Sequence, residues 1–490
     1  MDPSNKGVYS IISRRGIFFR AFGIYNELAG FYDYGPVGAR IRKGIEKLWR
    51  KEFVTRTCAY EIETSLLVSE PVLTASGHLA TFTDPITYCE VCGTPYRADK
   101  LVEAELEKHG NLDEAKNVKK ESAEELEKQL KSFGIKCEKC GNKKFSKIEK
   151  FNLIFNTHVG PTGKERAYLR PETAQGIFVD FYELWHTQAQ KLPMLIAQSG
   201  KSFRNEISPR QLLIRQREFC QLELELFFDP KAEEQERIGV YELPKLLGER
   251  VNFAKAGSES AESLALSELL EMRLIPNKYF ALLLFIEKKL IGELGISDYR
   301  FRQLEPEELP HYSKANVDLE ANTTYGYVEI AGNAYRTDYD LSQHAKLSGK
   351  DLSVGSGPAN KLVPHVIEAS MGLDRLFLAA LEHAYQKGGE RGWPWLKLNE
   401  EIAPYKYAVL PLQKDEKLTA KASELYIQLL EKGISCYYSE AGSIGKRYAK
   451  ADEIGVPYCI TIDYKTLEDN TVTIRNRDDT KQVRKDAYEI

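Results

Sequence analysis

Behind Gly35-Pro36, apolar residues recur at Val37, Ile41, Ile45, Leu48 and Trp49. That helical period, with Pro in the first turn where its missing N–H costs little, predicts a long amphipathic helix. From Leu101 to Phe133 the chain is rich in Lys and Glu, carries Leu106, Leu126 and Leu130, and lacks Pro, a pattern for solvated helices projecting from the body. The period changes between Met194 and Phe228: two strand-like stretches flank Ser208-Pro209-Arg210-Gln211, predicting a hairpin with a long, Arg-rich tip. Lys231 to Leu294 returns to helical spacing, and strands are expected at Tyr299 to Leu304, Tyr325 to Ile330 and His365 to Glu368. One sheet interrupted by helices, rather than alternating with them, points to an antiparallel α+β core. After Trp393-Pro394-Trp395 the order is strand (Tyr407 to Leu412), helix (Leu418 to Lys432), strand (Ile434 to Ser439), helix (Ile444 to Gly455), strand (Pro457 to Asp463), strand (Thr471 to Arg477), which predicts a separate α/β domain.

Side chains two apart on a strand share a face, so Arg215, Arg217, Phe219, Gln221, Glu223 and Glu225 fall on one side of the second hairpin strand, with Cys220, Leu222, Leu224 and Leu226 on the other. The same rule groups Arg204 with Glu206, Glu368 with Val366 and Ser370, and Glu329 with Tyr325 and Tyr327. Exposure to solvent accounts for any one such face. Its repetition on several strands favours a nucleoside triphosphate site: guanidinium groups grip phosphate in bidentate fashion, carboxylates hold Mg²⁺, and a ring stacks on a base. A Walker loop is absent, since Gly442 to Arg447 lacks its spacing and Gly355-x-Gly357 lacks a third glycine.

Length adds a domain count: 490 residues suggest about three domains at roughly 150 residues each. Lys plus Arg number 68 against 72 Asp plus Glu, and the longest apolar runs, such as Tyr279 to Ile286, are far short of a membrane span. A polyanion-coating protein and a transmembrane protein are therefore both disfavoured. The first twenty residues, with Asp2, Lys6, Arg14, Arg15 and Arg20 among apolar ones, read as neither signal nor transit peptide, and the expected location is cytoplasmic. Of eight cysteines, four form the pairs Cys89-x-x-Cys92 and Cys137-x-x-Cys140, enough thiolates for a closed structural Zn²⁺ site, although the separation exceeds that of a compact ribbon. Cys58, Cys220, Cys436 and Cys459 lie in apolar surroundings and are given no chemical role. The last domain, from Ala403, balances fourteen positive against fourteen negative charges, so any nucleic acid must meet a local patch.

From about Arg14 onward the chain resembles the glycyl-tRNA synthetases, class II aminoacyl-tRNA synthetases of the homodimeric type. Leu28-Ala-Gly-Phe-Tyr-Asp-Tyr-Gly-Pro36 through Phe53 resembles motif 1, which in the family forms the dimer interface. Phe203-Arg-Asn-Glu-Ile-Ser-Pro-Arg210 through Arg217-Glu-Phe219 resembles motif 2, and Glu368-Ala-Ser-Met-Gly-Leu-Asp-Arg375 resembles motif 3. Arg170-Pro-Glu-Thr-Ala-Gln175 and Tyr335-Arg-Thr-Asp-Tyr-Asp340 match further signatures. In two departures, Ala369 stands where the family often has Pro and Asp374 where motif 3 often has Gly; altered turn geometry with retained ATP binding is expected.

The resemblance implies a class II antiparallel sheet flanked by helices (core segments 1–88, 146–230 and 319–400), a zinc-knuckle and helical insertion at 89–145, a second helical insertion at 231–318, and an anticodon-binding domain at 403–490. It implies attachment of glycine to tRNA(Gly) through a glycyl-adenylate, with ATP and Mg²⁺. Arg204 would hold the α-phosphate, Arg215 and Arg375 the γ-phosphate, Phe219 the adenine ring, Glu206 the adenine amino group, and Glu329 the Mg²⁺; of these Arg204, Glu206 and Arg375 would be catalytic. Glu172, Glu223 and Glu368 would surround the glycine ammonium while Ser370 and Arg336 fill the remaining space. A pocket for a substrate without a side chain must select by rejection, because one methylene contributes only about 1–3 kcal/mol. Clustered carboxylates also raise one another's pKa unless a cation sits among them. In the last domain Gly442-Ser-Ile-Gly-Lys-Arg-Tyr448 and Asp452-Glu-Ile-Gly455 match the family, and Lys446, Arg447, Arg475 and Arg477, alongside Tyr448, are expected to meet anticodon bases. Two rivals remain: an RNA-binding accessory protein that has lost catalysis, which Arg204, Glu206, Glu329 and Arg375 argue against, and a synthetase for proline, threonine or histidine, which the glutamate-lined pocket disfavours.

Overall fold

A computed structural model describes residues 7–25, 27–118, 121–188, 190–209, 211–355 and 361–487; Asp2, Lys6, Arg210 and Gly357 lie outside it. The core is a nine-stranded sheet. Its strands are β1 (Tyr60–Glu61), β2 (Met194–Phe203), β3 (Glu218–Phe228), β4 (Arg250–Ala254), β5 (Glu262–Ala265), β6 (Tyr299–Gln303), β7 (Asn316–Thr323), β8 (Gly326–Thr337) and β9 (His365–Gly372), in the spatial order β5-β4-β6-β7-β8-β9-β3-β2-β1. All neighbours are antiparallel except β2 with β1 and β4 with β6. The predicted hairpin is β2 and β3, in register from Met194 opposite Phe227 to Phe203 opposite Glu218. Its apolar face, Cys220, Leu222, Leu224 and Leu226, is buried as alternation requires.

The apolar side of the sheet packs on α1 (Pro36–Trp49), α3 (Lys278–Glu293) and α5 (Leu373–Ala384). The other side meets α2 (Ala174–Thr187) and α4 (Tyr339–Ser348). Helix α1 starts at Pro36 and buries Ile41, Ile45, Leu48 and Trp49. Burying four such side chains contributes on the order of 8 kcal/mol of transfer free energy, which fixes this helix to the core.

One expectation for the core is corrected. Residues 231–318 are not a helical insertion: β4 and β5 extend the central sheet, β6 continues it, and only α3 is a long helix. Val251 and Phe253 alternate with Asn252 in β4, but five residues, and four in β5, are too few to display a period of two. Strand β7 was also missed, although Val317, Leu319 and Ala321 alternate with Asp318 and Glu320 along it.

Around the two cysteine pairs, strands Pro95–Arg97, Thr83–Tyr88 and Glu149–Asn152 form a small antiparallel sheet. The helices Ala98–Lys108, Leu112–Asn117 and Ala123–Ser132 close a core of their own, including Val102, Leu106, Leu126, Leu130 and Ile148. They are thus a packed unit rather than free projections. The last helix is held at its start by a capping box in which Ser122 and Glu125 satisfy each other's backbone N–H groups.

The C-terminal domain is a five-stranded mixed sheet. Its strands are β10 (Tyr407–Pro411), β11 (Cys436–Tyr438), β12 (Tyr458–Ile462), β13 (Thr471–Asn476) and β14 (Gln482–Asp486), ordered β11-β10-β12-β13-β14 and packed against α6 (Glu416–Glu431) and α7 (Ile444–Glu453). Beyond the expected elements it carries β14 and a short helix, Tyr464–Asp469. It is bolted to the core through Glu453, which accepts from Arg14 and Arg15 at 2.6 Å each, and through Asp452, which accepts from Arg391 and Trp393. Among the described residues no helix is long and apolar enough to cross a membrane.

Candidate active site

The loop between β2 and β3 brings the nucleotide candidates together. Arg204, Glu206, Arg215 and Phe219 from the hairpin, Glu329 from β8 and Arg375 from α5 line one cleft of about 650 Å³ including its open mouth, a size that suits a nucleotide. The Arg204 backbone N–H donates to Arg217 O at 2.9 Å, and its guanidinium carbon lies 5.3 Å from the Phe219 ring centre. Arg215 donates to Glu206 Oε2 at 2.6 Å; Arg375 donates to Glu329 O at 2.7 Å and pairs with its carboxylate at 3.3 Å. The cationic groups are therefore held in place by carboxylates and carbonyls on the same wall. Arg217 is different: it precedes β3, and its guanidinium is spent on Glu206 O and Ala29 O, locking the loop instead of lining the cleft.

Two bulges in β8 aim its side chains. Opposite β7, Leu319 pairs with Ala331 and Glu320 with Glu329, so Ile330 is an extra residue. The bulge turns Glu329 onto the face of Gly332, which pairs with Ser370. The second falls at Arg336, between Tyr335 opposite Ile367 and Thr337 opposite Val366. Asp318 on β7, overlooked in the sequence, lies on the same side as Glu329: a Cβ placed on Gly332 would sit 3.8 Å from both carboxylates. Burial and then Glu329 push the Asp318 carboxyl well above the usual range, against Arg302. Alternation of Asp318 with Glu320 was the available signal.

Beyond Ser370, which also lines the cleft, lies a carboxylate pocket. Glu223 and Glu225 of β3 pair in register with Ser370 and Glu368 of β9. The polar face of β3 is not wet: Gln221, Glu223 and Glu225 are all buried, so solvent exposure does not account for it. Arg336, fully buried, donates to Glu368 at 2.7 Å and to both oxygens of Asp340 at 2.7 and 3.0 Å, with its guanidinium carbon 3.9 Å from the Tyr312 ring centre. Glu172 stands 3.9 Å from Arg336 and 3.4 Å from His78, and accepts from Gln175 at 2.9 Å. Burial opposes its ionisation, but His78, Arg336 and Gln175 hold its carboxyl below the usual range. Glu223 accepts from Thr173 Oγ1; burial, then Glu368 and Glu172, push it well above that range. The three carboxylates expected around an ammonium group thus converge with Ser370 and Arg336, joined by Glu225, Asp340 and Thr173, which sequence reasoning did not assign to the pocket. Arg170 serves the frame, donating to Lys201 O and to Thr64.

Asp374 explains its departure from the motif. Its Oδ1 accepts from Tyr34 and, at 3.1 Å, from Arg42, while Oδ2 takes the Cys220 N–H at 2.7 Å. A glycine there would leave three donors without a partner.

The sulfurs of Cys89, Cys92, Cys137 and Cys140 all lie within 4.8 Å of one another, and the Cys89–Cys140 and Cys92–Cys137 pairs are 3.5 Å apart. Zn–S bonds of about 2.3 Å give a tetrahedral edge of roughly 3.8 Å, so the set fits Zn²⁺. Both pairs sit in matching turns, Gly93 N–H to Cys89 O and Gly141 N–H to Cys137 O, each 2.8 Å, with each glycine in the left-handed region.

In the C-terminal domain the expectation for the arginines is overturned. Arg447 is 1 %, Arg475 4 % and Arg477 3 % exposed. Arg447 donates to the Pro411 and Leu412 carbonyls, Arg475 to both oxygens of Asp452 at 2.9 and 3.0 Å, and Arg477 to Gly455 O and Leu398 O. They hold the domain together and have no face for a base; of the four expected contacts only Lys446 is exposed.

Residues 155–266 match the family described as tRNA synthetase class II core domain (G, H, P, S and T), and residues 406–490 match the anticodon binding domain. The chain is 38% identical to a glycine–tRNA ligase of Pyrococcus horikoshii, covering 98% of this chain and 96% of that one. Identity is 37% with the corresponding ligase of Archaeoglobus fulgidus, covering 97% and 94%, and 34% with that of Methanococcus vannielii, covering 99% and 98%. Among solved structures, the Giardia lamblia prolyl-tRNA synthetase in complex with prolyl-adenylate aligns with a TM-score of 0.62 at 14% identity, over 100% of this chain and 74% of that one. A threonyl-tRNA synthetase RNA binding domain from Cryptosporidium parvum aligns at 0.61 and 16%, over 99% and 96%. At such identities the likeness is one of fold.

Proposed function

The chain belongs to the glycine–tRNA ligases, and we propose that the cleft and the carboxylate pocket are the two halves of its activation site. The enzyme joins glycine to tRNA(Gly) in two steps: glycine and ATP give glycyl-adenylate and pyrophosphate, and the glycyl group passes to the terminal ribose. Both steps depend on positioning and charge neutralisation more than on a side-chain nucleophile. Arg204 holds the α-phosphate where the glycine carboxylate attacks, Arg215 and Arg375 draw off charge from the departing pyrophosphate, Phe219 stacks on adenine, and Glu206 accepts from its amino group. ATP exchanges the present Arg215–Glu206 and Arg375–Glu329 pairings for phosphate. Glu329 and Asp318 are the residues that would hold Mg²⁺, which supplies further neutralisation of the phosphates.

Glycine enters beyond Ser370, its ammonium among Glu172, Glu223 and Glu368 and its α-carbon facing a wall already occupied by Arg336. The observation that carries this reading is that Ser370 lies on both sites, so an amino acid held by the carboxylates presents its own carboxylate to the nucleotide cleft. Glycine-dependent ATP–pyrophosphate exchange tests it: absence of exchange with glycine, or equal exchange with alanine or proline, would overturn it.

Four thiolates leave no open coordination position, so the zinc we assign to Cys89, Cys92, Cys137 and Cys140 is structural. For the tRNA, the C-terminal domain offers an open cleft across edge strand β11, lined by Tyr437, Tyr438 and Lys450 together with Glu416 and Glu440. Its rings and cation suit unstacked bases in a way the buried arginines do not. The segment Leu28 to Phe53 would pair two copies; beside it Phe19, Phe22, Ile24, Tyr25 and Leu28 are exposed, an apolar surface that a second copy covers.

A further inference from the structure

Glu225 is the group in the carboxylate pocket that the reading above leaves without a task. It is fully buried, and neither of its carboxyl oxygens has a hydrogen-bond partner. One of its carboxyl oxygens, one of Glu223 and one of Glu368 all lie within 4.8 Å of one another. The groups facing this triad are Arg336 from β8, Asp340 from α4, Glu172 with His78 behind it, the Thr173 hydroxyl, and Tyr312. Arg336 is the one permanent cation among them, and its donors are spent on Asp340 and Glu368. Glu223 and Glu225 are left with no cation of their own in a buried site, where two adjacent carboxylates do not readily both stay charged.

We propose that the Glu223–Glu225–Glu368 triad carries a proton in the free enzyme, that the glycine ammonium displaces it to solvent, and that Glu225 sets the pH range over which glycine binds. This rests on the pocket being the glycine site. In the exchange a carboxyl O–H bond breaks, the proton passes to buffer, and the ammonium N–H groups take up the freed carboxylate oxygens, so charge in the pocket is conserved. Burial, then Glu368, raises the Glu225 carboxyl well above the usual range, and Glu223 moves the same way. Both shifts favour the protonated form of these two acids. The arrangement also discriminates: a neutral ligand of glycine's size offers no charge to replace the proton.

Calorimetric titration of the full-length enzyme with glycine, in phosphate and in Tris at one pH near 7, reads the proton directly. Heats that differ by the buffers' ionisation enthalpies for about one proton released per glycine support the proposal; identical corrected heats overturn it while leaving glycine binding intact. Over the range where the triad titrates, the glycine KM in pyrophosphate exchange should fall about tenfold per pH unit. Glu225→Gln, isosteric and neutral, removes one of the two raised acids and should move that profile to lower pH, with the KM for ATP unmoved. Superimposed profiles would overturn the role of Glu225. Failure of the wild-type enzyme to bind glycine at all would defeat the pocket assignment together with this proposal.

Discussion

Glu368 takes a hydrogen bond from Arg336 at 2.7 Å and faces Glu225 across the sheet, so its carboxylate joins the pocket's cation to its surplus acids. Glu368→Ala should abolish glycine-dependent exchange while ATP still binds, as equilibrium dialysis with labelled ATP would check. Glu287 is a buried acid away from that site: on α3, it accepts from Asn333 at 2.8 Å through one oxygen, has no partner for the other, and is raised by burial to about 8. Its folded pKa lies above the unfolded one, so its stabilising contribution is complete below about pH 4.3 and is lost as pH rises through 8. Glu287→Gln should therefore raise the melting temperature at pH 8, by an effect of a few kcal/mol at most, and change little at pH 5. At this scale the sequence was half legible. Strand alternation grouped Arg204 with Glu206 and Arg215 with Phe219, and Arg375 was marked by its likeness to motif 3; the cleft brings all five together. Arg447, Arg475 and Arg477 misled, since an arginine that satisfies buried carbonyls or Asp452 has the same letter as one that reads a base.

Among elements, the hairpin β2–β3 and helix α1 were readable because a strong period runs through each of them. The bulges at Ile330 and Arg336 were not: they shift the register by one residue, and only pairing with β7 and β9 reveals which residue is extra. Strands β4 and β5 were lost for a related reason, too few residues to display a period. The cysteine insertion was visible by spacing, yet its three helices share a core of modest size and depend on the two knuckles to fix their base. Cys89→Ser combined with Cys140→Ser should remove the metal, about one zinc per chain in the wild type, and expose 89–145 to proteolysis. Unchanged zinc content by metal analysis would contradict the assignment.

For the whole molecule, the C-terminal domain is joined to the core by buried charge, not by a loose tether: Asp452 gathers Arg475, Arg391 and Trp393, and Arg477 reaches Leu398. Cutting one partner from such a network leaves the others uncompensated, at a cost of about 3–5 kcal/mol. Pairing of two copies through the motif 1 segment predicts twice the chain mass by light scattering, and a monomer's mass would contradict it. Asp374 gives that prediction a second edge. Tyr34 and Arg42 belong to the proposed subunit boundary, Cys220 to the strand behind adenine's ring, and Arg375 is its immediate neighbour in sequence. Asp374 thus ties the proposed boundary to the wall of the nucleotide cleft, and Asp374→Asn, which turns an amide NH2 toward one of its three donors, should raise the KM for ATP in pyrophosphate exchange.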